Sequence, residues 1–220
     1  MLAEQLIVEE IPTLRITDTG DTALRWMDEF KVTNLCVANG TVFLGTISED
    51  IVLDMTDLGA EVATCKDSFN HAFVRSNQHI FEALKAVNEH TLSVIPVLDK
   101  KEKYLGCIND TKLMSVIADL PMANAPGSVI TVELNNHDYS LQAISGVIEE
   151  NNARILGTYV TSSSDSTKLL LTIKLNTTEV GAIISSLQRF DYEITYYEND
   201  EKDDDSIQDR FDAFMSYLNV

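Results

Sequence analysis

The hydrophobic positions in the first half of the chain follow the same order twice, about 60 residues apart. The segment 23–37 (ALRWMDEFKVTNLCV) aligns with the segment 83–97 (ALKAVNEHTLSVIPV). In each copy, apolar residues at helical spacing precede a short apolar run that is typical of a buried strand. Beyond the turn, the spacing between equivalent residues increases by one, because the second copy has one extra residue there. The Leu-Gly pair at 44–45 therefore corresponds to the pair at 105–106. A repeat of this length predicts two copies of one folding unit.

Each copy is predicted to contain a helix, a hairpin of two strands and a second helix. The first helices, at 22–30 and 80–89, carry apolar residues at helical spacing. The Asn-Gly pair at 39–40 lies between two apolar runs, which is the strongest short signal for a hairpin. A second helix is expected to begin near Glu49 and near Asp110. Two such units can bury their apolar faces against each other, which neither can do alone.

The second half has a different order of elements. Pro and Gly residues concentrate at 121–127, which predicts a linker between domains. After it, the pattern reads strand, helix, strand, strand, helix, strand over 128–198. The six segments are 128–134, 140–151, 154–162, 168–175, 178–190 and 192–198. This βαββαβ order is ferredoxin-like, so the whole chain is predicted to be an α/β protein with two folded regions.

The region 199–220 is predicted to be an acidic linker followed by an amphipathic helix. Six carboxylates against one lysine stand in the run at 198–205, where like charges favour a solvated segment. An apolar stripe follows at 206–220, formed by Ile207, Phe211, Phe214, Met215 and Leu218. Two alternatives stay open: the stripe packs on its own chain, or it docks on a partner subunit.

The residues of the repeat resemble a known family. In both copies a helix precedes the strand Leu-Cys-Val or Ile-Pro-Val, and a Leu-Gly-x-Ile-Ser/Asn segment precedes the second helix. This order resembles the CBS domain, and two βαββα-like repeats in tandem resemble the CBS pair, or Bateman module. The resemblance places the pair at 1–120, with repeat one at about 6–60 and repeat two at about 66–120. It implies two pseudo-symmetric clefts that bind adenosine nucleotides, and a dimer that adjusts the activity of a partner.

The family pattern G-x-x-S/T-x-x-D selects the candidate contacts to such a ligand. A hydroxyl and a carboxylate are suited to hold a ribose, and in the first copy these are Ser48 and Asp50. Asp50 stands one residue before the family position, which is an isoleucine here. In the second copy the candidates are Asn109, Asp110 and Lys112, with Lys112 in place of the carboxylate. The alternative is that Asp50 and Asp110 only cap the helices that follow them.

Residues 128–198 resemble the ACT regulatory domain, which binds small ligands, often amino acids. The corresponding ligand turn lies between the first strand and helix, and its candidates here are His137, Asp138 and Ser140. The glycine that would let backbone amides approach a ligand is missing. The alternative is that Asp138 or Ser140 is the N-cap of the helix. A CBS pair followed by an ACT-like domain resembles the acetoin-utilisation-B type of CBS protein.

Charge and composition exclude several classes of function. The formal net charge of −19 repels phosphate backbones, so nucleic acid and anionic membranes are not expected partners. No apolar stretch approaches the roughly 20 residues that span a bilayer. Three widely spaced cysteines, of which Cys36 and Cys107 lie in apolar runs, are typical of a reducing compartment, and we expect a cytoplasmic protein. Catalytic motifs and zinc-type histidine spacing are absent from the sequence, so neither an enzyme nor a metal site is expected.

The sequence therefore predicts a non-enzymatic regulatory or sensor protein that acts as a homodimer. Its CBS pair and ACT-like domain would respond to a small ligand, an adenosine nucleotide or an amino acid, and would modulate a partner protein. The alternative is a dimeric interaction or scaffold module whose binding sites have degenerated and which holds no ligand.

Overall fold

The two copies of the sequence repeat adopt the same arrangement of helices and strands. The computed structural model describes residues 1–198 and divides into two units, the first spanning Met1–Ala118 and the second beginning at Asp119. The helix predicted at 206–220 lies outside the described residues. The α/β class is confirmed, with helices and sheets in both units. Within residues 1–198, no helix is long and apolar enough to cross a membrane.

The first unit contains four elements from the first copy and five from the second. The first copy comprises helix α1 (Gly20–Phe30), strands β1 (Asn34–Asn39) and β2 (Val42–Ser48), and helix α2 (Glu49–Leu53). The second copy comprises strand β3 (Val74–Arg75), helix α3 (Ile80–His90), strands β4 (Val94–Leu98) and β5 (Tyr104–Asn109), and helix α4 (Asp110–Ala118). Two short 3₁₀ helices, Ala3–Leu6 and Val62–Ser68, precede α1 and β3.

Equivalent positions in the two copies have equivalent local geometry. Helices α1 and α3 both end at a residue in the left-handed region, Lys31 with φ 54° and Thr91 with φ 51°. Both helices also begin at a side-chain cap, since Thr19 accepts from a backbone N–H and His79 does the same. These caps satisfy backbone groups that a helix end leaves without partners. The repeat in the sequence is therefore a repeat in structure.

The hairpins match as well. Strands β1 and β2 pair antiparallel with an irregularity after Val37, and β4 and β5 pair antiparallel with one after Val97. A parallel partner lies beside each hairpin: Leu14 bridges Val37, and Val74 pairs with Val97. A βαβ crossover of this kind buries the intervening helix against the strands.

The segment that leads into each copy pairs with the hairpin of the other copy. The N–H of Val8 donates to the carbonyl of Cys107 at 2.9 Å. In the reciprocal position, Thr46 and Asn70 exchange backbone hydrogen bonds of 2.8 and 2.9 Å. The leading segment of each copy therefore pairs with the sheet edge of the other copy, and the two copies form one folded body.

Two glycines make this exchange possible. Gly45 and Gly106 have φ values of 142° and 147°, in a region that residues with a side chain rarely adopt. A Cβ atom on Gly45 would lie 2.6 Å from the Cβ of Phe69, and one on Gly106 would lie 2.6 Å from the Cγ2 of Ile7. The incoming segment therefore crosses each hairpin at a distance that only glycine permits.

Asn34 links the two copies at their pseudo-dyad. Its side chain is buried, donates to the carbonyl of Val94 at 2.8 Å and accepts from the N–H groups of Ser93 and Val94 at 2.8 and 3.1 Å. Further along the hairpins, the equivalent rings of Phe43 and Tyr104 stack with centroids 6.1 Å apart. The contact between the copies is thus both polar and apolar.

The second unit has the ferredoxin-like order expected from its sequence. Its elements are helix α5 (Pro121–Asn124), strand β6 (Val129–Asn135), helix α6 (Leu141–Glu150), strands β7 (Ile155–Ser162) and β8 (Lys168–Leu175), helix α7 (Gly181–Arg189) and strand β9 (Glu193–Glu198). The strands form one antiparallel sheet in the order β7-β8-β6-β9. Apolar residues of α6 and α7 pack with those of the central strands, including Ile144, Ile183 and Leu171.

Two details of this unit differ from the sequence-based expectation. Helix α7 begins at Gly181 and not near 178, and Val180 precedes it without a side-chain cap. The segment predicted as a linker at 121–127 contains helix α5, whose Met122 lies so close to Gly157 that a Cβ there would be 2.7 Å away. Proline at the first helical position accounts for this turn, since its missing N–H needs no partner there.

Candidate functional site

A cleft of about 530 Å³ lies in the first unit, where helix α2 begins and helix α3 ends. It is formed by both copies of the repeat, so its shape depends on how the copies pack. Polar side chains make up most of its lining, which consists of Thr33, Asn34, Thr46, Ser48, Glu49, Asp50, Ile51, Ser68, Asn70, His90, Thr91 and Leu92.

Ser48 and Asp50, the two candidates from the first copy, both line this cleft. Ser48 ends strand β2, and its Oγ accepts from the N–H of Ile51 at 3.4 Å, so Ser48 is the N-cap of helix α2. The suggestion that Asp50 caps this helix is wrong, because the cap lies two residues earlier, where the backbone is still extended. The carboxylate of Asp50 is exposed on the first turn.

Asn70 is brought to the cleft by the exchanged segment. Its Oδ1 accepts from the N–H of Ala72 at 2.8 Å, and its carbonyl accepts from the Thr46 hydroxyl at 3.3 Å. Among the described residues, its amide nitrogen has no hydrogen-bond partner. The donor groups of the Asn70 amide and the acceptor groups of Asp50 therefore border the same cleft, with Ile51 and Leu92 as its apolar part.

The three candidates of the second copy lie elsewhere. The Oδ1 of Asn109 accepts from the N–H of Lys112 at 2.9 Å, so Asn109 caps helix α4 as Ser48 caps α2. Asp110 accepts from the N–H of Thr111 at 2.6 Å, within its own turn. The suggestion that Asp110 is the cap is wrong, because the cap is Asn109, one residue earlier. None of the three is among the described residues that line the 530 Å³ cleft.

The comparison with protein families identifies the second copy. Residues 67–119 match the CBS domain. The chain contains a CBS domain. The matched residues run from the 3₁₀ helix before β3 past the end of α4, and they include Asn109, Asp110 and Lys112.

Solved structures that this chain resembles include proteins with CBS domains. A CBS domain pair/ACT domain protein from Thermotoga maritima is 22% identical over 54% of this chain and 98% of that chain, with a TM-score of 0.49. The CBS domains of a transcriptional regulator from Streptococcus pneumoniae are 18% identical over 52% of this chain and 98% of theirs, with a TM-score of 0.45. CBSX2, crystallised in complex with AMP, is 20% identical over 53% of this chain and 95% of that one, with a TM-score of 0.44.

The turn considered as an ACT-type site lies in the second unit, outside the CBS domain. Asp138 accepts from the Asn135 side chain at 2.9 Å and borders a cavity of about 330 Å³. Ser140 is the N-cap of α6, as its Oγ accepts from the N–H of Ala143 at 3.3 Å. His137 is exposed and is not among the described residues that border this cavity. Of these three candidates, Asp138 alone is among the described residues that border this cavity.

The described lining of that smaller cavity contains one lysine, Lys168, and four carboxylates, those of Glu133, Asp138, Asp191 and Glu193. Lys168 lies 3.3 Å from a carboxylate oxygen of Glu133 and 3.7 Å from one of Glu193. The hydrogen bond to Glu133, followed by the charge of that residue, raises the pKa of Lys168. The described lining is therefore predominantly acidic, and Lys168 is already paired with two of its glutamates.

Cys36 and Cys107 are buried, as their apolar neighbours in the sequence predicted. They lie in one core cluster with Tyr104, whose hydroxyl is 3.0 Å from that of Thr13. Burial raises the pKa of Cys36 well above its ordinary value, and burial also raises the pKa of Tyr104. The hydrogen bond with Cys36 lowers the pKa of Cys107, so the two thiols share a proton between them within the core.

Sequence reasoning missed Asn70 and His90 as residues of the cleft. His90 is the last residue of helix α3 and reaches the cleft together with the C-cap Thr91. The position of Asn70 depends on the exchange of leading segments, and no local pattern indicates that exchange. Within residues 1–198, no group of three or more His, Cys, Asp or Glu side chains is arranged to hold a metal ion.

Proposed function

We propose that this chain is a non-enzymatic, ligand-responsive regulatory protein. Its two CBS-type repeats would bind an adenosine-containing ligand in the 530 Å³ cleft and change the arrangement of a homodimer that modulates a partner protein. The observation that carries the proposal is the meeting of Ser48, Asp50 and Asn70 at one cleft built from both repeats.

The chemistry of the lining suits a nucleoside. A carboxylate accepts from a ribose diol, and the Asp50 side chain is exposed and free to do so. The amide of Asn70 offers a donor, and Ile51 with Leu92 offers an apolar surface for a base. The volume of the cleft falls in the range of about 300–1,000 Å³ that small-molecule sites occupy.

Regulation follows from the place of the cleft between the repeats. A ligand that contacts Asp50 and Ile51 of one copy and His90 of the other binds best to one packing of the two copies. Such a difference in affinity shifts the population of arrangements, and the shift is what a partner would detect.

The ACT-like unit is proposed to bind a small amino acid at its own cavity. Asp138 borders that cavity and would accept from the ammonium group of an amino acid, whose carboxylate would compete with Glu133 and Glu193 for Lys168. A thermal-shift screen of the full chain against the standard amino acids tests this part, and no stabilisation by any of them would contradict it.

The adenosine site is tested by replacing Asp50. We expect Asp50→Ala to weaken adenosine binding about tenfold in isothermal titration calorimetry, since losing a hydrogen bond of this kind costs about 1.5 kcal/mol. The matched control is Asp110→Ala, the exposed aspartate on the first turn of α4, which should leave the affinity unchanged. Equal losses in both variants would contradict the assignment. Failure of every adenosine compound to bind would favour the scaffold alternative.

A further inference from the structure

The charged side chains at the cleft include two carboxylates on the first turn of helix α2. The side chains of Glu49 and Asp50 contribute two carboxylates, and His90 contributes an imidazole. Among the described residues that line the cleft, there is no lysine or arginine. Phosphate groups in proteins are held by such cations or by helix N-termini. Helix α2 has only five residues, so its N-terminus is a weak site for a phosphate.

The positions related to the cleft by the repeat include two lysines, one in each copy. Lys112 occupies the position of Ile51, since each is the third residue after the cap of its helix. Lys31 occupies the position of Thr91, since both are the left-handed C-caps of their helices. Lysines therefore occur at the positions equivalent to Ile51 and Thr91, although Lys31 is paired with Asp28 at 2.8 Å.

Polar side chains lie at the cleft where the equivalent positions of the other copy have apolar ones. Asn70 bonds Thr46 across the exchange, and the residues that make the equivalent contact on the other side are Val8 and Cys107. The amide and hydroxyl groups that could recognise a nucleoside thus occur at one cleft, and apolar groups replace them at the equivalent place. The pseudo-symmetric pair is chemically one-sided.

We infer that the cleft takes one nucleoside per chain that carries no phosphate, and that a positive charge on the nucleoside strengthens its binding. This inference rests on the proposed adenosine site and names its ligand class. The carboxylates of Glu49 and Asp50 repel a phosphate dianion and attract an ammonium or sulfonium group, and the amide of Asn70 serves the uncharged part of the ligand.

A series of three compounds that differ only at the 5′ position tests the inference. The probes are 5′-amino-5′-deoxyadenosine, adenosine and AMP, whose 5′ groups are cationic, neutral and anionic. Calorimetric titration of the full chain should give one site per chain, with affinity falling at least tenfold from the amino compound to AMP. Raising the salt concentration should narrow that difference, because exposed charges are screened.

Two lysine variants link the selectivity to this cleft. Ile51→Lys introduces at the cleft the lysine that the second copy has at its equivalent position, and it should strengthen AMP binding about tenfold while weakening the amino compound. The matched control is Lys112→Ile, which makes the reverse change in the second copy and should leave both affinities unchanged.

The outcomes separate the two levels of the claim. AMP binding more tightly than adenosine, or two sites per chain, would overturn the inference and leave the adenosine site standing. Binding by none of the three compounds would overturn the adenosine site, and the inference with it. A change of AMP affinity in Lys112→Ile and not in Ile51→Lys would move phosphate recognition to the second copy and overturn the inference.

Discussion

Replacing Asn34 with alanine is expected to lower the free energy of unfolding of the first unit by about 3 kcal/mol. The substitution removes the only side chain that joins the carbonyl of Val94 and the N–H groups of Ser93 and Val94 among the described residues. These backbone groups are in buried residues, so each loses its partner without gaining water. A buried polar group without a partner costs about 1–3 kcal/mol.

Urea denaturation followed by circular dichroism measures this effect. The matched control is Asn39→Ala, which changes the same residue type at the exposed end of the same strand and should shift stability by less than about 0.5 kcal/mol. If Asn34→Ala is as mild as the control, the polar contact at the pseudo-dyad does not hold the copies together.

Replacing Gly45 with alanine is expected to cost about 3 kcal/mol and to impair the cleft as well. The backbone at Gly45 has φ 142°, and the added Cβ would lie 2.6 Å from the Cβ of Phe69 and 3.2 Å from the carbonyl oxygen of Asn70. Strained backbone at a residue with a side chain costs about 1–3 kcal/mol, and the crowding adds to it. Because the crowded atoms belong to the segment that carries Asn70, adenosine should bind more weakly.

Gly40→Ala provides the control in the same hairpin. Gly40 also has positive φ, 59°, but nothing lies within 4 Å of a Cβ built there. It should cost only about 1–2 kcal/mol and leave ligand affinity unchanged. Equal losses of affinity in the two variants would show that Asn70 owes its place to something other than the close crossing at Gly45.

The repeat made much of the fold predictable from the sequence. Helical spacing before an apolar strand, followed by the Leu-Gly pair, defines each copy, and the equivalent residues Lys31 and Thr91 have nearly the same φ. The ferredoxin-like order of the second unit followed from alternating patterns in the same way. Elements with a strong local period are determined mainly by local sequence.

The details that could not be predicted depend on distant contacts. The segments around Val8 and Asn70 are too short to show a period, and each pairs with a hairpin of the other copy. The expectation that Asp50 and Asp110 cap their helices was wrong. Ser48 and Asn109, at the ends of the preceding strands, accept from the backbone N–H groups instead. Helix α7 begins at Gly181, three residues after the predicted start at 178, and the residue before it provides no side-chain cap.

The candidate site was predictable in part for the same reason. Ser48 and Asp50 follow a motif that is local in sequence, and both line the cleft. The equivalent motif of the second copy contains Asn109, Asp110 and Lys112. These residues lie at the start of helix α4 and not at the cleft. Asn70 and His90 reach the cleft only through the packing of one copy on the other.

The most direct test of the adenosine site is a residue-resolved map of binding on the full chain. Adenosine added to ¹⁵N-labelled protein is expected to shift the backbone amide signals of Thr46, Ser48, Asn70 and His90, and to leave those of the second unit in place. Shifts confined to Asn109 and its neighbours in α4, or signals that stay unchanged throughout the first unit, would contradict it.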